Sequence, residues 1–114
     1  MPSMNDLNIT DQDIDDIMCT ALEGGITYWC MKAEVIEDEY YGDYASDQIS
    51  KGGSLRLYGE EDDEIFELTK EKFLNGLEQW AKEHRTTRID PAMIDADHAD
   101  CIVQYALFGE LVYG

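Results

Sequence analysis

Basic residues are scarce in this chain: 8 lysines and arginines stand against 26 aspartates and glutamates, a formal net charge of −18 over 114 residues. A field of that sign repels nucleic acid and anionic membrane surfaces and attracts basic partners. Direct binding to DNA, RNA or a membrane is therefore not expected. Cysteine is also sparse. Cys19, Cys30 and Cys101 are an odd number without a paired spacing, which argues against a disulfide framework and against a Cys-x-x-Cys metal site. No apolar run approaches the ~20 residues of a membrane span. The N-terminal residues lack the basic region and apolar core of a secretion signal. These absences predict a reduced, cytoplasmic protein whose thiols pack as small apolar side chains. Two histidines and three arginines leave little for general acid–base or phosphoryl chemistry. No Gly-x-Ser-x-Gly, phosphate loop or dinucleotide fingerprint is present. The expectation is a protein that is not an enzyme and carries no cofactor.

What the chain does have is a core. Apolar residues make up 44% and twelve residues are aromatic, enough for one domain and too many for a disordered acidic tail. Residues 1–8 read as a flexible N-terminus and 9–114 as a single domain. Thr10 is a helix cap, with Asp13 three residues on as a short capping-box partner and Ile9 and Ile14 placed as a hydrophobic staple. The stripe Ile14, Ile17, Met18, Ala21, Leu22, Ile26, Trp29 follows a helical period. Gly24 and Gly25 interrupt it, although each glycine costs about 1 kcal/mol in a helix interior. Either the helix stops at Gly24, or it continues and the missing side chains let another backbone approach. Continuity of the period favours the second.

Ala33–Glu37 reads as a strand, and a short helical turn is expected through Ala45–Ile49. Ser54–Tyr58 and Glu64–Leu68 flank "GEEDD" as a β-hairpin. Thr69 caps a second helix with Phe73, Leu77, Trp80, Ala81 and His84 on one face and Gly76 inside it. Asp90-Pro91 opens a last helix that carries Ile94, Cys101, Ile102, Tyr105 and Phe108 inward and ends near Gly109, leaving residues 111–113 to dock as a tail. The order predicts an α+β fold, three main helices packed on a short antiparallel sheet.

Two constellations suggest metals and both fall short. Asp11, Asp13 and Asp15 have the opening spacing of an EF-hand loop, but Asp16 replaces its glycine and Leu22 its bidentate glutamate. His98 and Cys101, one turn apart among Asp95, Asp97 and Asp100, could share an ion only with a distant third ligand. No metal is expected. The features that ask for a partner are the stretch Glu37, Asp38, Glu39, Tyr40, Tyr41, Asp43, Tyr44 and the run Glu60, Glu61, Asp62, Asp63, Glu64. Tyrosines beside carboxylates suit an interface, since they bury area at low entropy cost; a solvated acidic edge is the plainer reading of the same residues. Gly24, Gly25, Tyr28 and Trp29 form a possible notch or pocket.

Three blocks, "TALEGGITYWC" (20–30), "YASDQISKGG" (44–53) and "DADHADCIVQYALFGELVYG" (95–114), resemble a family of small acidic proteins encoded by phages and prophages of Gram-positive bacteria. The resemblance carries no catalytic or binding residue with it. It implies a setting: a small phage-associated protein in a bacterial host cytoplasm. In that setting the charge predicts an inhibitor of a basic, nucleic-acid-binding host protein, anti-CRISPR-like or a DNA mimic. The alternative is a sponge for a small molecule or nucleotide, or a minor enzyme, using the Gly-Gly/Trp pocket.

Overall fold

The computed structural model describes residues 9–36, 45–85 and 90–114. The expected flexible segment 1–8 and the acidic, tyrosine-rich stretch from Glu37 to Tyr44 lie outside the described residues.

The first helix, α1 (Asp11–Thr20), starts as its sequence dictates. The Thr10 side chain accepts from the Asp13 amide and the Asp13 carboxylate accepts from the Thr10 amide, a complete capping box. Ile14, Ile17 and Met18 are buried. At the glycine pair the helix neither stops at Gly24 nor runs on to Trp29. It widens into one π turn, Ala21–Gly25, in which the Ile26 amide donates to the Ala21 carbonyl at 3.0 Å. A tight turn follows, with the Cys30 amide on the Ile26 carbonyl at 2.7 Å. The extra residue in that turn aims Gly25, Ile26 and Trp29 inward together.

Strands β1 (Lys32–Val35), β2 (Leu55–Tyr58) and β3 (Ile65–Leu68) form an antiparallel sheet in the order β1-β2-β3. Val35 opposes Leu55, and the hairpin closes with Tyr58 opposite Ile65. Leu55 and Leu57 point into the core while Arg56 and Tyr58 alternate outward. β1 ends at Val35, short of the expected Glu37. The turn expected through Ala45–Ile49 is a 3₁₀ turn, Ala45–Asp47.

Thr69 caps α2 (Lys70–Glu83), accepting from the Lys72 amide. Phe73, Leu77, Trp80 and Ala81 are buried as the period predicts, but His84 is exposed at the helix end, its ring stacked on Trp80 at 4.3 Å. Asp90 accepts from the Ala92 amide, yet only a 3₁₀ turn, Pro91–Met93, follows. The helix proper, α3 (Ala96–Phe108), begins at a second cap, Asp95, which accepts from the His98 amide. Buried Ile94 sits between the two starts. Gly109, at φ 73°, takes the left-handed conformation that ends α3.

The fold is α+β, with three α-helices and one antiparallel sheet among the described residues. Side chains from α1, β2, β3, α2 and α3 share one core. α3 lies at its centre and is approached very closely on two sides. A Cβ at Gly25 would stand 2.6 Å from the Ala96 carbonyl oxygen, and one at Gly76 would stand 2.5 Å from the Ala106 nitrogen. Both glycines exist for backbone contact. Gly24 meets nothing within 4 Å.

Candidate functional site

With Gly25 pressed against the start of α3, the turn that follows delivers Tyr28 and Trp29 to the middle of that helix. Asp100 waits there, 8% exposed. Its carboxylate accepts from the Tyr28 hydroxyl at 2.6 Å, the Trp29 indole N–H at 2.8 Å and the Gln104 amide at 2.8 Å. Burying a carboxylate is costly unless such donors replace its water. Burial and the Asp100 bond push the Tyr28 phenol up to about 12.

Gln104, one turn further along α3, turns its oxygen the other way. It accepts from the Val112 amide at 2.7 Å and the Tyr113 amide at 2.8 Å, which folds the tail back over the helix. Tyr113 then lies on Trp29, with Phe66 and Phe108 packed around the Trp29 edges. The Tyr113 hydroxyl donates to Glu64 Oε2. Glu64 Oε1 accepts from the Glu61 amide at 3.0 Å. These two bonds hold the Glu64 carboxyl below the usual carboxylate range, and the same contact pushes the Tyr113 phenol up to about 12.

Tyr28, Trp29, Glu60, Glu64, Tyr113 and Gly114 line a cleft of about 280 Å³. The structure therefore brings together two groups that the sequence reading kept apart, the aromatic pair after the glycines and the hairpin loop. Gly24 and Gly25 are not among the lining residues. Glu60, Glu61, Asp62 and Asp63 are exposed at the hairpin tip. The tip is fastened by the Gly59 amide on the Glu64 carbonyl at 2.7 Å and the Glu64 amide on the Glu61 carbonyl at 3.0 Å. Lys32 and Arg56 pair with Glu34, and Lys70 pairs with Asp11. Among the described residues no base pairs with the tip.

The metal candidates are dispersed. Asp13 caps α1 and Asp15 accepts from Ser50. Asp95 caps α3, Asp100 faces Tyr28 and Trp29, and His98 packs edge-on against Trp80 and His84. Among the described residues no group of three or more His, Cys, Asp or Glu side chains is placed to hold an ion. Burial raises all three thiols, Cys19, Cys30 and Cys101, which makes them poor nucleophiles. No described helix is long and apolar enough to cross a membrane.

Asp100 and Gln104 carry the site's architecture, a role not among the expectations above. Their signal was present: two polar residues at i and i+4 flanking Ile102 and Val103, on a face that the apolar period marks as buried. Compared with known proteins, the chain matches no protein-family model, no curated protein and no solved structure.

Proposed function

We propose that this chain is a non-enzymatic acidic binding protein that occupies a basic, nucleic-acid-binding surface of a host protein, in the manner of an anti-CRISPR inhibitor or DNA mimic. The phage setting comes from the sequence resemblance alone. The observation that supports the reading is the hairpin tip. Four consecutive exposed carboxylates, Glu60 to Asp63, are displayed on a turn whose base is closed by Glu64, and among the described residues no base pairs with them. A rigid array loses little freedom on binding, and its field steers a basic surface toward it. The stretch 37–44, outside the described residues, belongs to the same proposal by composition.

The sponge alternative finds less support. The carboxylates of Glu60 and Glu64 that line the cleft oppose a nucleotide's phosphates.

The test is capture of basic proteins from host lysate on the immobilised chain, followed by competition of the captured protein's own nucleic acid. We expect displacement of nucleic acid that fades as salt rises. Glu60→Gln, Glu61→Gln, Asp62→Asn and Asp63→Asn together should weaken it by an order of magnitude or more, roughly 1.4 kcal/mol upward. Glu23→Gln, Glu71→Gln, Glu83→Gln and Asp97→Asn together, the same loss of charge elsewhere on the exposed surface, should do much less. Equal loss from both sets would sink the array in favour of a general field.

A further inference from the structure

We propose that the cleft beneath the hairpin tip receives one arginine side chain of a basic protein partner. This rests on the binding reading above and adds a specific site to it.

The lining is of two kinds, aromatic rings from Tyr28, Trp29 and Tyr113 and carboxylates from Glu60 and Glu64. A ring presents a negative face to a cation, and here Tyr28 offers the open one, since Trp29 is 3% exposed and stacked against Tyr113. Carboxylates present acceptor pairs that a guanidinium fork can span. Glu64 already accepts from Tyr113 and from the Glu61 amide, so it is fixed in position while its Oε2 keeps a further lone pair. None of its described partners is a cation. Asp100, just behind Tyr28, adds a third negative group whose bonds from Tyr28, Trp29 and Gln104 all come from neutral donors. The pocket is thus anionic and aromatic, with no positive charge of its own among the described residues.

The cleft, at about 280 Å³, has room for one side-chain head, and its chemistry narrows the occupant. Tyr28, at 49% exposure, leaves its ring open for stacking. Planarity favours guanidinium over ammonium, because a flat cation stacks on a ring and forks to a carboxylate at once.

The probe is a capped Gly-Arg-Gly peptide titrated into isotope-labelled protein, read at the Trp29 indole N–H and the Gly114 amide by NMR. Controls are the same peptide carrying neutral citrulline, the lysine peptide, and free spermidine. We expect saturable shifts at both reporters with arginine, and binding about tenfold weaker with citrulline. Glu60→Gln, at an exposed position, should weaken arginine binding while the amide spectrum stays that of the parent fold. Citrulline binding as well as arginine, or shifts confined to 60–63, would overturn the site. Spermidine or lysine outcompeting arginine would overturn the choice of guanidinium. Still reporters together with salt-sensitive capture of a basic host protein would remove the cleft and leave the acidic tip standing. A filled cleft without any captured basic protein would do the reverse.

Discussion

Trp29 and Tyr113, 84 positions apart in sequence, lie face to face with ring centroids 4.8 Å apart and planes 3° from parallel. One ring follows the first helix and the other follows the last, so the stack joins the two ends of the described fold. Tyr113→Ala should strip one face of Trp29. Its fluorescence, read in a Trp80→Phe background, should shift to the red, and stability should fall by about 1–3 kcal/mol from lost area and stacking.

The two adjacent glycines should behave oppositely. Gly25→Ala places a Cβ 2.6 Å from the Ala96 carbonyl oxygen, and backbone cannot yield as a side-chain tip does. A loss of about 1–3 kcal/mol is expected by overpacking. Gly24→Ala meets open space and should be neutral or stabilising by up to about 1 kcal/mol, through the better helix propensity of alanine. Paired thermal melts decide it; equal behaviour would dismiss the notch.

Asp100→Asn changes one oxygen to an amide and nothing in size. The Asp100 Oδ1 accepts from Trp29 and Gln104 and its Oδ2 from the Tyr28 hydroxyl. The new N–H₂ must therefore take the Tyr28 side, where the hydroxyl has to turn round and accept, and the charge behind all three bonds is lost. Unfolding should become easier by about 1–3 kcal/mol, and the Trp29 indole N–H should exchange with solvent faster than in the parent.

The tyrosines set the alkaline limit. Tyr28 and Tyr113 rise from 10 to about 12 in the fold. A raised pKa adds stability that is complete below the unfolded value and disappears as pH climbs through the folded one. Stability should therefore decline between pH 10 and about 12, with Tyr28, Tyr113 and Tyr105, the last also raised by burial, ionising late in an ultraviolet titration. Tyr28→Phe or Tyr113→Phe should each remove one from the late phase.

Glu64 acts at the acid end with the opposite sign. Its carboxyl is held below the usual range by Tyr113 and by the Glu61 and Glu60 amides. Its stabilising share is present above the unfolded value of about 4.3 and is lost as pH falls through the folded one. Glu64→Gln should flatten that acid limb and speed amide exchange at Val112 and Tyr113.

Much of the fold was legible because its signals are local. Thr10 with Asp13, Thr69 before Phe73 and Leu77, and the loop between Tyr58 and Glu64 each declare themselves within a few residues. Gly25 was readable as a contact point because the apolar period runs through it. The π turn was not, since a helix and a helix with one extra residue share the same apolar spacing over so short a span. The second cap at Asp95 competed with Asp90-Pro91, and only the burial of Ile94 between them decides the matter. The union of Tyr28 with Glu60 and Glu64 had no local signal at all. It depends on Gln104 recognising the backbone of Val112 and Tyr113, a pairing of side chain with peptide that any residue but proline could make at 112 and 113.

The double glycine grip on α3 bears on how the molecule comes apart. Gly25 belongs to the chain's first helical segment and Gly76 to its second, and both rest on the backbone of one rod. Neither partner can peel away without uncovering that rod, and the rod cannot slide without driving peptide atoms into peptide atoms on both flanks. Partial opening from either end is thereby discouraged. Amides from Ala99 to Ala106 should share a single exchange free energy equal to that of global unfolding, while α1 and α2 should show no separate, earlier melting step.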